Sequence, residues 1–159
     1  MPNTNLKILV SQGLAAMKSG SDVAAKATDE IGGDASHPQL RAALEEGNRT
    51  SRQWAERIDR ALQQSDGSDQ QDNPVLEAHY DVSRRIRQAA PDEASRDLGI
   101  IASGQLALHY WIAAFGTMAN YTKQLGMEDV AAELKASADE AKQADEKHTQ
   151  LAEQLLSQG

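Results

Sequence analysis

Residues 100–118, IIASGQLALHYWIAAFGTM, contain no Asp, Glu, Lys or Arg and are apolar on almost every side of a helical wheel. A helix of this kind is expected to be the most buried element of its fold, because each large apolar side chain left in water forfeits roughly 1.5–3 kcal/mol. Its cover has to come from other helices. Elsewhere Ala, Leu, Gln, Glu and Arg dominate, and β-branched residues occur singly instead of alternating with the period of two that a half-buried strand needs. The chain therefore reads as all-α. Residues 1–159 suffice for one domain with one sizeable core.

Five helices are expected. The first runs from about Thr4 to Ile31, with Gly20-Ser21 as a candidate kink, and Gly32-Gly33 stops it. Ser36, followed three residues later by Gln39, is the candidate N-cap of the second helix, about His37 to Gln63. Its apolar positions Leu40, Ala43, Leu44, Trp54, Ile58 and Leu62 are interrupted by a polar stretch, GNRTSR, which is odd for a buried face. Residues 63–73, QQSDGSDQQDN, have the composition of a solvated loop. A shorter helix opens at Asn73-Pro74 and ends at Pro91, the fourth spans about Asp92 to Leu125, and the fifth about Glu128 to Leu155. Four long helices with a short one after the second make a bundle whose connection crosses its length, the ferritin-like arrangement.

The formal net charge of −8 argues against nucleic acid or an anionic membrane as partner, since both would repel this surface. The opening residues, MPNTNLKILVSQG, lack a charged segment followed by an apolar run, and no stretch reaches 18 consecutive apolar residues, so a cytoplasmic protein is expected. With no cysteine, a disulfide, a thiolate nucleophile and Cys-ligated metal are excluded. Gly-rich phosphate loops, Gly-x-Ser-x-Gly and metalloprotease motifs are missing as well.

The second half of the chain resembles the bacterial ferritin-like proteins typified by YciE and YciF, a stress-associated family of uncertain function. The resemblance rests on His109-Tyr110, Phe115-Gly116-Thr117, Gln124-Leu125-Gly126 and Lys142 with Asp145, with a weaker likeness at Glu56 to Asp59 and over residues 74–101. It implies a homodimer and a two-metal carboxylate site, iron or manganese, built from glutamates on facing helices and a Glu-x-x-His pair. The sequence departs from that pattern. The ligand positions fall on Arg49 and Arg52 in helix two and on Leu108 and Trp111 in helix four, and the helix-one glutamate falls near Ser21, beside Asp22. Only the last helix keeps acids, at Asp139, Glu140 and Asp145.

The expected protein is thus a metal-free, cofactor-free, non-enzymatic bundle that acts as an oligomer or binds a protein partner. Two rival readings stand beside it. A divergent ferroxidase, oxidase or catalase would need iron or manganese held by Asp22, His109, Glu140, Asp145 and His148. A small-molecule binder would use an apolar pocket lined by Trp111 and Phe115. If the acids of helix five face inward, something must neutralise them, so Arg49 or Arg52 is expected to turn inward and pair with Asp139, Glu140 or Asp145 beside Trp111. His109 reads as a core histidine and His148 as an inner-stripe residue able to meet it; His37 reads as exposed and His79 as a boundary residue. Arg84, Arg85 and Arg87 read as a solvated face paired with nearby acids.

Overall fold

The computed structural model describes residues 3–67 and 70–157. Ser68 and Asp69, within the segment expected to be a solvated loop, lie outside the described residues. The five helices are α1 (Asn3–Asp34), α2 (Pro38–Gln64), α3 (Pro74–Ala89), α4 (Glu93–Gln124) and α5 (Glu128–Ser157), with no strand among the described residues.

Cross-helix pairs give the directions. Lys7 Nζ meets Asp66 Oδ2 at 2.6 Å and Lys18 pairs with Asp59, so α1 and α2 are antiparallel. Lys147 with Glu46 at 3.0 Å and Arg60 with Glu133 at 3.2 Å make α2 and α5 antiparallel. Gln105 with Thr149 at 2.8 Å and His109 with Asp145 at 3.1 Å do the same for α4 and α5. α1 and α5 therefore run one way and α2 and α4 the other, while α3, packed on α1 and α4, carries the chain back along the bundle.

The local signals explain most of the element ends. Asp92 caps α4 by accepting the Ser95 N–H at 2.7 Å, and Asn73 caps α3 by accepting the Leu76 N–H at 3.1 Å. Gly126 adopts φ 76°, the left-handed conformation that ends α4 without a Cβ clash. Three expectations need correction. α1 continues through Gly32-Gly33 to Asp34, since two glycines lower helix propensity without removing a hydrogen-bond donor. The N-cap of α2 is His37, not Ser36, and it makes no side-chain cap; the Asp97 carboxylate, 60 residues away, accepts the Ser36 and His37 N–H groups, each at 2.8 Å. Gly20 sits inside an uninterrupted α1, where a Cβ would lie 2.6 Å from Asn73 Nδ2. It permits close approach of the chain entering α3, and Asn73 Nδ2 uses that approach to donate to the Ala16 carbonyl at 2.9 Å and to Tyr110 Oη at 2.7 Å.

The interior holds two apolar clusters. One contains Val10, Leu14, Trp54, Ile58, Trp111, Phe115 and Leu134; the other contains Ile31, Leu40, Ile100, Ile101 and Leu151. Tyr80 of α3 packs against both. α4 contributes to both clusters but is not covered all round. Ile101 and Phe115 are fully buried, whereas Ala102, Leu106, His109 and Ala113 are exposed, Leu106 at 67%. α1, α3 and α5 pack on one side of α4 and leave the opposite side uncovered.

Candidate functional site

Between the two clusters the bundle is hollow. A cavity of about 140 Å³ is bounded by Ile31 of α1, Ser51 and Trp54 of α2, His79 of α3, Ser103 and Trp111 of α4 and His148 of α5. It coincides with the polar interruption of α2: Gly47, Asn48, Thr50 and Ser51 form part of its wall. Where Leu40 and Ile58 fill their levels of the bundle, these small side chains do not reach across. A second hollow of about 220 Å³ opens between α1 and α2 near Asp22, Asp29 and Arg52, and shares Ala24, Thr28, Asn48, Ser51, Trp54 and Trp111 with the first. At the rim, Lys147 and Glu46 neutralise each other across α5 and α2 at 3.0 Å.

The aromatic cluster forms the floor. Trp54 meets Phe115 edge-on with centroids 5.3 Å apart, Trp111 stacks on Phe115 at 5.4 Å, and the two indoles are tilted at 6.2 Å. Phe115 lies beneath the cavity and does not line it, which corrects the expectation of a pocket lined by both Trp111 and Phe115. Leu108 and Trp111 do line it.

The acid that needs compensation is Glu140, and its partner is Arg57. Arg57 Nη1 donates to Glu140 Oε2 at 2.8 Å and Nη2 donates to Oε1 at 3.1 Å, the two-pronged geometry that suits a guanidinium to a carboxylate. Trp54 Nε1 adds a third donor at 2.7 Å. Burial pulls the Glu140 carboxyl upward, but the bonds from Arg57 and Trp54 outweigh it and hold the group below its ordinary value. Arg49 and Arg52 do not do this work, contrary to expectation. Both are exposed, and neither is bonded to Asp139, Glu140 or Asp145. At 3.6 residues per turn they lie about 140° and 160° around α2 from the buried Trp54. The residues of this stretch that face the cavity are Gly47, Asn48, Thr50 and Ser51.

The remaining residues of the divergent metal site do not converge. Asp22 is exposed in the α1/α2 groove. His109 is on the outside of α4, its side chain 66% exposed, where Nε2 meets Asp145 Oδ2 at 3.1 Å; the expected core histidine is a surface one. His148 is buried but does not meet His109, because its Nδ1 is bonded to the Ala144 carbonyl of its own helix at 2.8 Å. Asp139 pairs outward with Lys135 and Lys142. Among the described residues, no three His, Asp or Glu side chains come together in a way that could hold a metal ion.

His79 belongs to the site although its position as a boundary residue gave no sign of it. Burial pushes its imidazole below the ordinary value, opposed by the Ser103 carbonyl, and Nε2 is buried without a hydrogen-bond partner. The Tyr80 hydroxyl beside it is pushed up to about 12 by burial. The basic cluster on α3 is paired throughout: Arg84 with Glu30 and Asp81, Arg85 with Asp81, and the buried Arg87 with Glu30 at 2.8 Å and Asp34 at 2.7 Å.

A bundle of four long helices with an extra crossing helix, whose interior layer carries indoles and histidines where carboxylates were sought, is a helical protein of the YciF type. Residues 11–159 match the family described as "Domain of unknown function (DUF892)", and the chain belongs to that family. Over 78 residues it is 33% identical to Protein YciF of Escherichia coli K12; that alignment covers 49% of this chain and 47% of YciF, about half the length of the curated relative. The crystal structure of the E. coli stress protein YciF superposes with a TM-score of 0.88 at 23% identity, covering 97% of this chain and 98% of YciF. YcfI of Rhodopseudomonas palustris superposes with a TM-score of 0.85 at 21% identity, over 91% and 92% of the two chains.

Proposed function

We propose that this chain is a ferritin-like, metal-free member of its family that works without catalysis, as a homodimer joined through the outer face of α3 and α4. The observation that carries the reading is the uncharged face. Between Asp97 and Lys123, α4 holds no Asp, Glu, Lys or Arg, and its exposed side is Ala102, Leu106, His109 and Ala113. Val75, Val82 and Ile86 are exposed on one stripe of α3, and the Ile86 methyl lies against Gly99 of α4, so the two stripes adjoin. An 18-residue window of α4 reaches a mean hydropathy of 1.4 with a third of it buried, which makes this an apolar helix with a bare side.

A second copy is the occupant that the charge favours. Two-fold pairing brings one patch against itself, and in a chain of net charge −8 most self-pairings would oppose acid to acid. This face opposes Leu and Ile to their own kind, and its alanines let helices approach closely. The same acidity supports a protein that binds neither nucleic acid nor anionic membrane. The metal-free reading is supported by Glu140, which Arg57 already neutralises, and by the placement of Asp22 and His148 away from the His109–Asp145 surface pair.

Light scattering on the eluting protein tests the dimer and elemental analysis tests the metal. The expected result is twice the chain mass, falling to the chain mass when Val82→Asp and Leu106→Asp are combined, with metal well below one ion per chain. A monomeric parent protein removes the dimer, and about two ions of iron or manganese per chain after dialysis removes the metal-free reading.

A further inference from the structure

We propose that the hollow layer is a binding site for a small uncharged aromatic molecule with one hydroxyl or N–H, of the phenol or indole class. Size sets the first limit: about 140 Å³ is close to the engineered apolar cavity of roughly 150 Å³ that accepts benzene. One ring fits, or two fused rings that extend toward the α1/α2 hollow. The walls set the second. Ile31, Leu44, Ile100, Leu108 and the two indoles make most of the surface apolar, and the charged residues at the rim, Glu46 and Lys147, are engaged with each other. A charged ligand would have no counter-charge inside, so a neutral one is preferred.

The polar groups set the third limit. The bond from His148 Nδ1 to the Ala144 carbonyl, an acceptor only, places the ring proton on Nδ1. The uncharged ring then offers a bare lone pair at Nε2, which lies against Gly104 in the cavity wall; a Cβ at Gly104 would stand 3.2 Å from it. His79 and Tyr80 of α3 close the wall beside Ser103. One acceptor in an otherwise apolar space calls for a ligand with one donor.

The test uses the full chain. Phenol is titrated while the emission of Trp54 and Trp111, the chain's two tryptophans, is followed, and phenol, indole, benzene and benzoate are compared by calorimetry and melting temperature. The expected result is saturable phenol and indole binding with a rise in melting temperature, benzene about tenfold weaker and benzoate without effect. Ala107→Leu and Ser51→Leu, which fill the cavity from α4 and α2, each weaken phenol by at least about tenfold while helical circular dichroism persists; two positions are used so that one folded variant remains if the other fails. His148→Leu weakens phenol about tenfold and leaves benzene unchanged. No saturation up to about 10 mM phenol, undiminished binding in a folded cavity-filled variant, or benzoate binding as tightly as phenol overturns the proposal.

Discussion

Around Phe115 the helices meet over Leu14, Ile58 and Leu134, all fully buried, and two indoles complete the layer. Farther along the same helices, between Ser51 and His148, about 140 Å³ is left open. The backbone is the same uninterrupted α1, α2, α4 and α5 in both places. The difference is side-chain size on α2: Trp54 and Ile58 fill one layer, whereas Gly47, Asn48 and Ser51 leave the other hollow. The residues around the open layer forgo the packing contacts that the filled layer makes. The filled layer acts as the support and the hollow layer as the part free to take on a ligand.

That contrast can be broken most directly at Phe115. Phe115→Ala is expected to cost about 4 kcal/mol in urea unfolding, because it empties a close-packed layer; a loss below about 1 kcal/mol would mean the layer is not well packed. Next comes Arg57→Met, expected to cost about 2 kcal/mol by leaving Glu140 half-buried and short of its charged donors, with most of the loss recovered when Glu140→Leu is added. Arg52→Met, on the outer side of the same helix, should change stability by less than about 0.5 kcal/mol. If the two arginines behave alike, the inward facing of α2 described above is wrong.

The hollow layer should respond in the opposite sense to added volume. Ala107→Leu is expected to change stability by no more than about 1 kcal/mol, where the same enlargement in a filled core costs about 1–3 kcal/mol. Acid should separate the layers by a still smaller effect. The folded-state pKa of His79 is depressed by burial, so the stability it permits is complete above its unfolded value near 6.5 and declines as pH falls below it. The folded-state pKa of Glu140 is also depressed, so its contribution is present above its unfolded value near 4.5 and is lost as pH falls through the folded one. Amide protection factors near His79 should therefore begin to fall at a higher pH than those near Glu140; simultaneous loss would show the layers to be one cooperative unit.

Periodicity was enough to read five helices and their order from the chain, because apolar spacing and Pro or Gly breaks act locally. Asn73-Pro74, Pro91 and Gly126 each act within a turn of where they stand. The helix-five acids and their need for a guanidinium were legible too, but which arginine supplies it was not. Arg49, Arg52 and Arg57 share one helix, and choosing among them requires the phase that Trp54 and Ile58 impose. The polar GNRTSR stretch was visible as an anomaly, but a cavity is a property of five helices together. His79 shows the same limit, since its unpaired nitrogen depends on what α4 brings opposite it. The bare side of α4 was hidden by the apolar run itself, which announces burial without saying by what.

The long reach of Asp97 bears on the order in which the chain assembles. An α-helix starts with unpaired N–H groups, and in α2 one of these, together with the preceding Ser36 N–H, is satisfied only by a carboxylate that arrives with α4. Until the second helical hairpin docks, the α1/α2 hairpin has a frayed turn at its tip, and its own residues offer no capping side chain there. A fragment ending at Gln64 should therefore lose helical structure first around Leu40. In the whole chain the Asp97 contact, with Arg96 on Asp34 and Ser36 beside it, ties the start of α2 to the start of α4.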